Sequence, residues 1–191
     1  MPPSAAGCKA AWRAHALRAL RGVCHLVMRQ FLLWVGVLLA GDQATKACVR
    51  SVLVEGQTLA LWPGKIEITL VYNKGIAFGM LPGVGIYLAP LAVIVAVVAG
   101  IAFVRAQSGD RLFRVGMVLI SAGALGNFVD RIFLQGRVTD FIDLKFIHVF
   151  NIADACITTA AVLLFVHWMV EAGKVACAHE PGKEQGDEGA P

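Results

Sequence analysis

The stretch Ile86–Val104 reads IYLAPLAVIVAVVAGIAFV and contains no charged side chain in nineteen residues. A helix rises by about 1.5 Å per residue, so a helix of this length matches a hydrocarbon core about 30 Å thick. Three further apolar stretches of similar length lie at about residues 31–49, 115–131 and 152–170. The chain is 58% hydrophobic and 16% charged, whereas about 25% of the residues of a soluble domain are charged. These features predict an all-α membrane protein with four transmembrane helices.

The two ends of the chain are more polar than the middle. Residues 1–29 carry five Lys and Arg side chains and no acidic one, which predicts a basic cytoplasmic extension. Three explanations of this segment stay open: a basic helix on the membrane surface over residues 11–29, an unstructured leader, or a reading-frame extension before Met28. Residues 172–191 are rich in Glu, Gly, Lys and Asp and predict a disordered cytoplasmic tail. The four-span domain is therefore expected over residues 30–171.

Four spans place both chain termini on the same side of the membrane. Short cytoplasmic loops carry an excess of Lys and Arg, and the first span usually dominates the orientation. The basic residues 1–29 precede the first span, and Arg105, Arg111 and Arg114 lie between the second and the third. The expected outer loops also carry basic residues, namely Lys65, Lys74, Arg137 and Lys145, so the bias is moderate. The sequence predicts cytoplasmic termini and an outer segment at about residues 50–85.

The outer segment has the pattern of a strand. Apolar residues at every second position from Ile66 to Tyr72 alternate with Lys65, Glu67 and Thr69. A Trp-Pro-Gly turn at residues 62–64 precedes this stretch, and the alternation before it indicates a partner strand. We therefore expect a small β-element on the outer (periplasmic) face.

Four aspartates lie inside or at the ends of the apolar stretches: Asp42, Asp130, Asp140 and Asp154. An ionised carboxylate at the centre of a bilayer costs about 3 kcal/mol even on lenient insertion scales. A chain that keeps four of them is expected to turn them toward one another or toward a wet cavity. They are the first candidates for a chemical site.

The third apolar stretch ends in a polar pattern. In a helix, Gly123, Asn127 and Asp130 lie near one face, and Arg131 lies one turn after Asn127. Gly123 and Gly126 permit the close approach of another backbone. Asn127 and Arg131 can donate hydrogen bonds to a carboxylate or to a peptide carbonyl. A structural clamp of Asp130 and Arg131 at the helix end is the alternative for these two residues.

Acids and amides also meet at the start of the fourth stretch. Asn151 is a suitable N-cap, and Asp154 then occupies the third helical position, where free N–H groups and the helix dipole stabilise a carboxylate. Ala153 leaves room beside it. Asp140 follows a Gly-containing turn, which predicts a short extended or re-entrant segment at the outer boundary. Helix capping alone is the simpler alternative for Asp154, and a surface loop is the alternative for Asp140.

Two further pairs surround these candidates. Asp42 and Lys46 stand one helical turn apart, and an ion pair between them lowers the cost of burying both. Asn73 ends the predicted strand and can bind a backbone group, and Gly75 permits a tight turn after it.

Five motifs follow one another in register: Asp42-Gln-x-Thr-Lys46, Asn73-x-Gly-x-Ala-Phe78, Gly123-Ala-x-Gly-Asn-x-x-Asp-Arg131, Val138-x-Asp-Phe141 and Phe150-Asn-x-Ala-Asp154. Together they resemble the ordered motifs of the lipoprotein signal peptidase family, signal peptidase II. The resemblance covers about Phe31–His167. Any one motif alone is weak, but five in order are specific.

The resemblance implies an aspartyl endopeptidase of the bacterial inner membrane, with four spans and an active site near the periplasmic face. Such enzymes cut the signal peptide from a prolipoprotein just before a diacylglyceryl-modified cysteine. By motif, the catalytic aspartates correspond to Asp140 and Asp154, and Asp130 is the rival of Asp140. The expected substrate-binding or dyad-supporting residues are Asp42, Lys46, Asn73, Gly123, Asn127, Asp130, Arg131, Asn151 and Ala153.

The expected chemistry uses water and two carboxyl groups, with Asp154 as the initial base and Asp140 as the initial acid. It needs no metal and no organic cofactor. The expected partners are diacylglyceryl-prolipoprotein substrates and membrane lipid, with no nucleic acid, and the expected form is a monomer.

Two other classes of protein compete with this interpretation. A metal-dependent enzyme acting on lipid head groups would use oxygen-rich ligands for Mg²⁺ or Mn²⁺, for which the candidates are Asp130, Asp140, Asp143 and His148. Among these acids an Asp-x-x-Asp spacing occurs once, at Asp140 and Asp143, and is not repeated. A proton-coupled transporter would string carboxylates across the depth of the bilayer. In this chain they gather near one end of spans one, three and four, which favours an enzyme.

Overall fold

Long helices dominate the architecture. The computed structural model describes residues 5–75, 83–107 and 109–178. Within these ranges the elements are, in chain order, α1 (Ala5–Val52), β1 (Thr58–Trp62), β2 (Ile66–Asn73), a 3₁₀ turn (Gly85–Tyr87), α2 (Leu88–Arg105), α3 (Arg111–Phe133), β3 (Val138–Asp143) and α4 (Ile152–Ala178). Ala77 and Phe78 of the second motif, residues 1–4 of the basic extension and residues 179–191 of the tail lie outside the described residues.

The helices confirm the predicted membrane fold. In the described part of the chain, four helical segments are long and apolar enough to cross a bilayer: His25–Val52, Gly85–Arg105, Arg111–Phe133 and Ile152–Val175. The predicted spans at 31–49, 86–104, 115–131 and 152–170 all fall within them. Large apolar side chains such as Trp34, Ile94 and Phe165 are exposed on their surfaces, as expected for residues that face lipid.

The first and last helices, α1 and α4, both extend further than the sequence predicted. Helix α1 begins at Ala5, so residues 5–29 continue the first span as one helix and do not form an unstructured leader. The position of this helix on the membrane surface stays a prediction. Helix α4 continues to Ala178, so the prediction of disorder was wrong for residues 172–178. A helix that is already formed adds residues at little cost, whereas starting a helix is unfavourable. An ion pair of Lys174 with Glu171, at 2.6 Å, stabilises the extra turns of α4.

A small antiparallel sheet lies at one end of the bundle, which we call the sheet end. In the described residues it has three strands in the order β1-β2-β3. The predicted strand Ile66–Tyr72 and its partner are confirmed as β2 and β1, with Leu59 opposite Ile68. Strand β3 is the extended segment expected around Asp140, and it pairs with β2. The sheet therefore holds Asp140 at the end of the bundle.

Helix α3 packs closely against α4 through glycines. A Cβ atom at Gly123 would overlap the carbonyl oxygen of Ala153, and one at Gly126 would lie 3.0 Å from the Ala153 Cβ. The apolar core lies toward the opposite end of the bundle, where the rings of Phe31 and Phe103 are 5.0 Å apart. The chain thus separates an apolar core at one end from polar groups at the sheet end.

The contact at Gly123 predicts the effect of an added methyl group. Gly123→Ala should lower the thermal unfolding temperature in detergent, because α3 must move away from the α4 backbone at a cost of about 1–3 kcal/mol. Gly36→Ala is the matched control, since no heavy atom lies within 4 Å of its added Cβ. Alanine favours a helix over glycine by about 1 kcal/mol, so the control should unfold at the wild-type temperature or above it. Equal unfolding temperatures for the two variants would contradict this packing.

Candidate active site

Strand β3 carries Asp140 into the space between the sheet and the helices. The Asp140 side chain is 2% exposed, and it contributes to the wall of a cavity of about 390 Å³. The other lining residues are Glu55, Val71, Tyr72, Asn73, Lys74, His148 and Val149. Asn151 Nδ2 donates to Asp140 Oδ1 at 2.7 Å, and the Asn73 side chain also hydrogen-bonds the carboxyl group.

Burial makes Asp140 an unusually weak acid. Desolvation raises the pKa of the Asp140 carboxyl to about 7, and the negative charge of Asp154 adds to this rise. The hydrogen bonds from Asn151 and Asn73 and the positive charge of Lys46 act in the opposite direction and are outweighed. Asp140 therefore holds a proton through the mildly acidic range, where an ordinary aspartate is ionised.

Asp154 lies in the first turn of α4, as its sequence position predicted. The Asp154 N–H donates to Asn151 Oδ1 at 2.9 Å, which confirms Asn151 as the cap of this helix. Asn127 Nδ2 on α3 donates to Asp154 Oδ1 at 2.7 Å. The Asp154 carboxylate is thus held from α3, while its backbone is held by the cap.

Two asparagine side chains link Asp140 to Asp154. Asn151 binds the carboxyl group of Asp140 and the backbone of Asp154, and its Nδ2 also donates to Asn127 Oδ1 at 3.2 Å. The orientations of the Asn127 and Asn151 side-chain amides follow from partners that can only donate. Lys46 Nζ donates to Asn127 Oδ1 at 3.2 Å, and the Asp154 N–H donates to Asn151 Oδ1. Each amide NH₂ group must therefore point at a carboxyl oxygen. The network holds both acids by neutral donors.

Lys46 is the buried cation of the site. Its side chain is 0% exposed, and its Nζ lies 2.9 Å from Asp42 Oδ2 and 3.4 Å from Asp130 Oδ2. The predicted pair of Asp42 and Lys46 is confirmed, and it has Asp130 as a third member. Asp42 Oδ1 in turn accepts a hydrogen bond from the Ala153 N–H at 2.9 Å. A charge on α1 thereby fixes the start of α4.

Asp130 and Arg131 do not form the structural clamp that was the alternative interpretation of these two residues. Side chains of adjacent helical residues point in different directions, so the two do not pair, and the partners of Asp130 are Lys46 and Arg50 instead. Asp130 Oδ2 also accepts from the Thr139 N–H at 2.8 Å. Arg131 Nε is buried and has no hydrogen-bond partner among the residues that the structure describes, and its charge acts on Asp154 and Asp140.

Comparisons with known proteins decide the family. The sequence profile of the family described as Signal peptidase (SPase) II matches residues 34–170. The chain belongs to the signal peptidase II family. It is 35% identical to the lipoprotein signal peptidase of Desulfitobacterium hafniense over 145 residues, which are 73% of this chain and 94% of that protein. It is 37% identical to that of Thermosynechococcus vestitus over 152 residues, 75% of this chain and 96% of the relative.

Two solved structures share the fold of this chain. A bacterial membrane enzyme determined by the in meso method at 2.3 Å resolution has a TM-score of 0.71 and 28% identity, covering 81% of this chain and 93% of that one. A second such enzyme, at 1.9 Å resolution, has a TM-score of 0.63 and 30% identity, covering 72% and 90%. As a signal peptidase II, the chain is a multi-pass membrane peptidase, a hydrolase whose substrates are prolipoproteins.

Several residues of this signal peptidase II site were not among the predicted ones. Gln43 Nε2 bridges Asp42 Oδ2 and the carbonyl oxygen of Gly126, each at 3.0 Å. Arg50 lies one turn after Lys46, and this spacing is the signal that would have found it. Thr139 precedes Asp140 in the fourth motif, but its contacts with Arg50 and Asp130 join distant parts of the chain and could not be predicted from the sequence.

The described residues contain no set of ligands for the competing metal hypothesis. No three His, Cys, Asp or Glu side chains gather there as potential metal ligands. Asp130 is paired with Lys46, and Asp143 Oδ2 is paired with Lys145 Nζ at 2.8 Å. The acids proposed for that site thus have separate partners.

Removing the buried cation of this signal peptidase II should be costly. Lys46→Met leaves Asp42 and Asp130 buried without it, so the free energy of unfolding should fall by about 3–5 kcal/mol. Lys145→Met is the control, because it breaks ion pairs at an exposed lysine, and such surface pairs contribute little to stability. Thermal unfolding in one detergent compares the two variants. A loss no larger for Lys46→Met than for Lys145→Met would contradict the role of Lys46.

Proposed function

We propose that this protein is an aspartyl endopeptidase that removes the signal peptide from diacylglyceryl-modified prolipoproteins, with Asp140 and Asp154 as its catalytic dyad. One observation carries the proposal: the two acids, on different elements, are joined through Asn151 and Asn127, and Asp140 lines a cavity. Two nearby carboxyl groups that share a proton can activate water and protonate a carbonyl oxygen in turn.

Protonation states follow from the surroundings of each acid. With a pKa of about 7, Asp140 keeps its proton in about half of the molecules at neutral pH and is the proton donor in this proposal, and Asp154 is then the base that draws a proton from water. The water attacks the scissile carbonyl carbon while Asp140 protonates its oxygen, giving a tetrahedral gem-diol and no acyl-enzyme. A proton returned to the nitrogen then expels the amine of the lipid-bearing cysteine. The dyad titrates as a unit, because each charge affects the other.

Neighbouring polar groups would orient the substrate. Asn73 Oδ1 accepts from the Gly75 N–H at 3.0 Å, so its amide NH₂ faces Asp140 and the cavity. Arg131 has a buried N–H group to offer to a peptide carbonyl near the dyad. The close contacts at Gly123 and Ala153 would keep α3 and α4 near enough for Asn127 to reach Asp154.

The proposed location is the bacterial inner membrane, with both termini in the cytoplasm and the sheet end at the periplasmic face. Apolar side chains of β1, namely Leu59, Leu61 and Trp62, are exposed there. Trp62, with Lys65 Nζ 4.5 Å from its ring centre, suits a membrane–water interface. The diacylglyceryl chains of the substrate would stay in lipid beside these residues while the peptide enters the cavity. The proposed form is a monomer, without metal or cofactor.

Removing either carboxyl group should stop the reaction. Purified Asp140→Asn and Asp154→Asn should fold but cleave a diacylglyceryl-modified prolipoprotein at least about 10³-fold more slowly, because neither amide can exchange the required proton. Asp143→Asn is the control: Asp143 lies three residues after Asp140, is paired with Lys145 and should keep near wild-type activity when substituted.

The substrate form and a chelator complete this test. Only the lipid-modified precursor should be cut, and the unmodified one should remain intact. Cleavage should persist in excess EDTA. Activity near that of the wild type in either dyad variant would remove that residue from the dyad, and loss of activity in EDTA would favour the metal hypothesis.

The pH dependence should report Asp140. Since Asp140 must be protonated to act as the acid, kcat/KM should fall as pH rises above about 7. An unfolded aspartate has a pKa of about 3.9, so the folded protein binds the extra proton between that pH and about 7. The wild type should therefore lose stability as pH rises through this window, and Asp140→Asn should lose less. Thermal unfolding at pH 5 and pH 8 measures the difference. Parallel losses in both proteins would contradict the raised pKa.

A further inference from the structure

Strand β3 is an edge strand, and its free edge faces the helices. Strand β2 pairs with only one of its sides, with Val71 opposite Asp140 and Tyr72 opposite Thr139. Along the free edge, the Phe141 N–H donates to the carbonyl oxygen of Phe150 at 3.0 Å. The Thr139 N–H donates to Asp130 Oδ2 at 2.8 Å, so a side-chain carboxylate takes the place of a neighbouring strand.

The Thr139 side chain has a second anchor. Arg50 Nη1 donates to Thr139 Oγ1 at 2.8 Å and lies 3.6 Å from Asp130 Oδ1. The Thr139 side chain is fully buried, while that of Arg50 is 26% exposed. We call Arg50, Asp130 and Thr139 the Thr139 clamp. It joins the last turn of α1 and the end of α3 to the strand residue that precedes Asp140.

The pairing of β3 with β2 is regular at Thr139 and irregular on the other side of Asp140. The register of β2 against β3 shifts between Ile68 and Val71, next to the pair of Val71 with Asp140. Such irregularities bend a strand and increase its local twist. Successive side chains of a strand point to opposite faces, so the rotation of the strand at Thr139 sets the direction of the Asp140 carboxyl group. The clamp on Thr139, together with the regular pairing of Thr139 with Tyr72, fixes that rotation just before the irregular stretch begins.

We propose that Arg50 and Thr139 are positioning residues for Asp140, holding its carboxyl group toward Asn151 and Asp154 through the Thr139 clamp. This inference rests on the proposed dyad function. In this proposal neither Arg50 nor Thr139 touches the substrate. Arg50 acts through its contacts with Thr139 and Asp130. A displacement of a reacting group by about 1 Å can lower a rate by about 100-fold, so a loosened strand should lower turnover more than substrate binding.

Thr139→Val is the first test, because it keeps the shape and the N–H bond to Asp130 but removes the hydroxyl acceptor. The kcat of this variant should fall about 10-fold, while its KM stays within about twofold of wild type. This loss is smaller than the roughly 100-fold expected when a reacting group moves by about 1 Å. Thr139→Ser keeps the hydroxyl group and should stay within about threefold of the wild-type kcat. A purely structural role would lower the unfolding temperature but leave kcat unchanged for the folded enzyme.

Arg50→Gln tests the same clamp from its partly exposed end. It should lower kcat to a similar extent, and Arg50→Lys should restore part of the loss. The double variant Arg50→Gln/Thr139→Val should be no slower than the slower single variant, because both remove the same hydrogen bond. A kcat loss in the double variant equal to the product of the single losses would overturn the coupling.

The outcomes distinguish a failure of the Thr139 clamp from a failure of the proposed dyad. Asp140→Asn is assayed alongside under the same conditions. If Asp140→Asn is inactive but Thr139→Val and Arg50→Gln have the wild-type kcat, the clamp is wrong and the dyad stands. If Asp140→Asn is active, the proposed function fails, and the positioning role fails with it.

Discussion

A single buried ammonium group organises the sheet end of this molecule. Lys46 Nζ lies within 3.4 Å of two carboxylates and an amide oxygen, on side chains from α1 and α3. Burying these ions costs several kcal/mol each, which close pairing and hydrogen bonds must offset. Because Asp42 also binds the Ala153 N–H, the same charge cluster fixes where α4 begins. The position of Asp154 therefore depends on a lysine that does not touch it.

The four membrane aspartates divide into two pairs by the kind of donor that holds them. Asp42 and Asp130 have the cationic side chains of Lys46 and Arg50 as partners. Asp140 and Asp154 are held by amide groups of Asn151 and Asn127, which stabilise a carboxyl group without fixing its charge. The proposed dyad is therefore the pair whose partners are neutral donors. This difference is the physical argument for preferring Asp140 to Asp130 in the dyad.

The sequence predicted what depends on local spacing. The one-turn pair of Asp42 and Lys46, the cap by Asn151 and the four spans all follow from neighbours along one helix or from apolar length. The partners of Asp130 could not be predicted, because they depend on how α1 approaches α3 in space. The helical residues 172–178 were predicted as disordered because composition alone does not show that an adjacent helix can continue.

Strand β3 shows why the placement of Asp140 needed the fold. Its pairing partner β2 lies more than sixty residues earlier in the chain, and the acceptors on its free edge come from α3 and from Phe150. Each of these contacts joins segments that are distant in sequence, so no local pattern encodes them. Neighbouring residues of the strand also have different partners. Thr139 binds the ionised cluster, whereas the next residue faces the neutral amides. Alternation along a strand thus lets a fixed charge network and a titrating acid lie side by side without pairing.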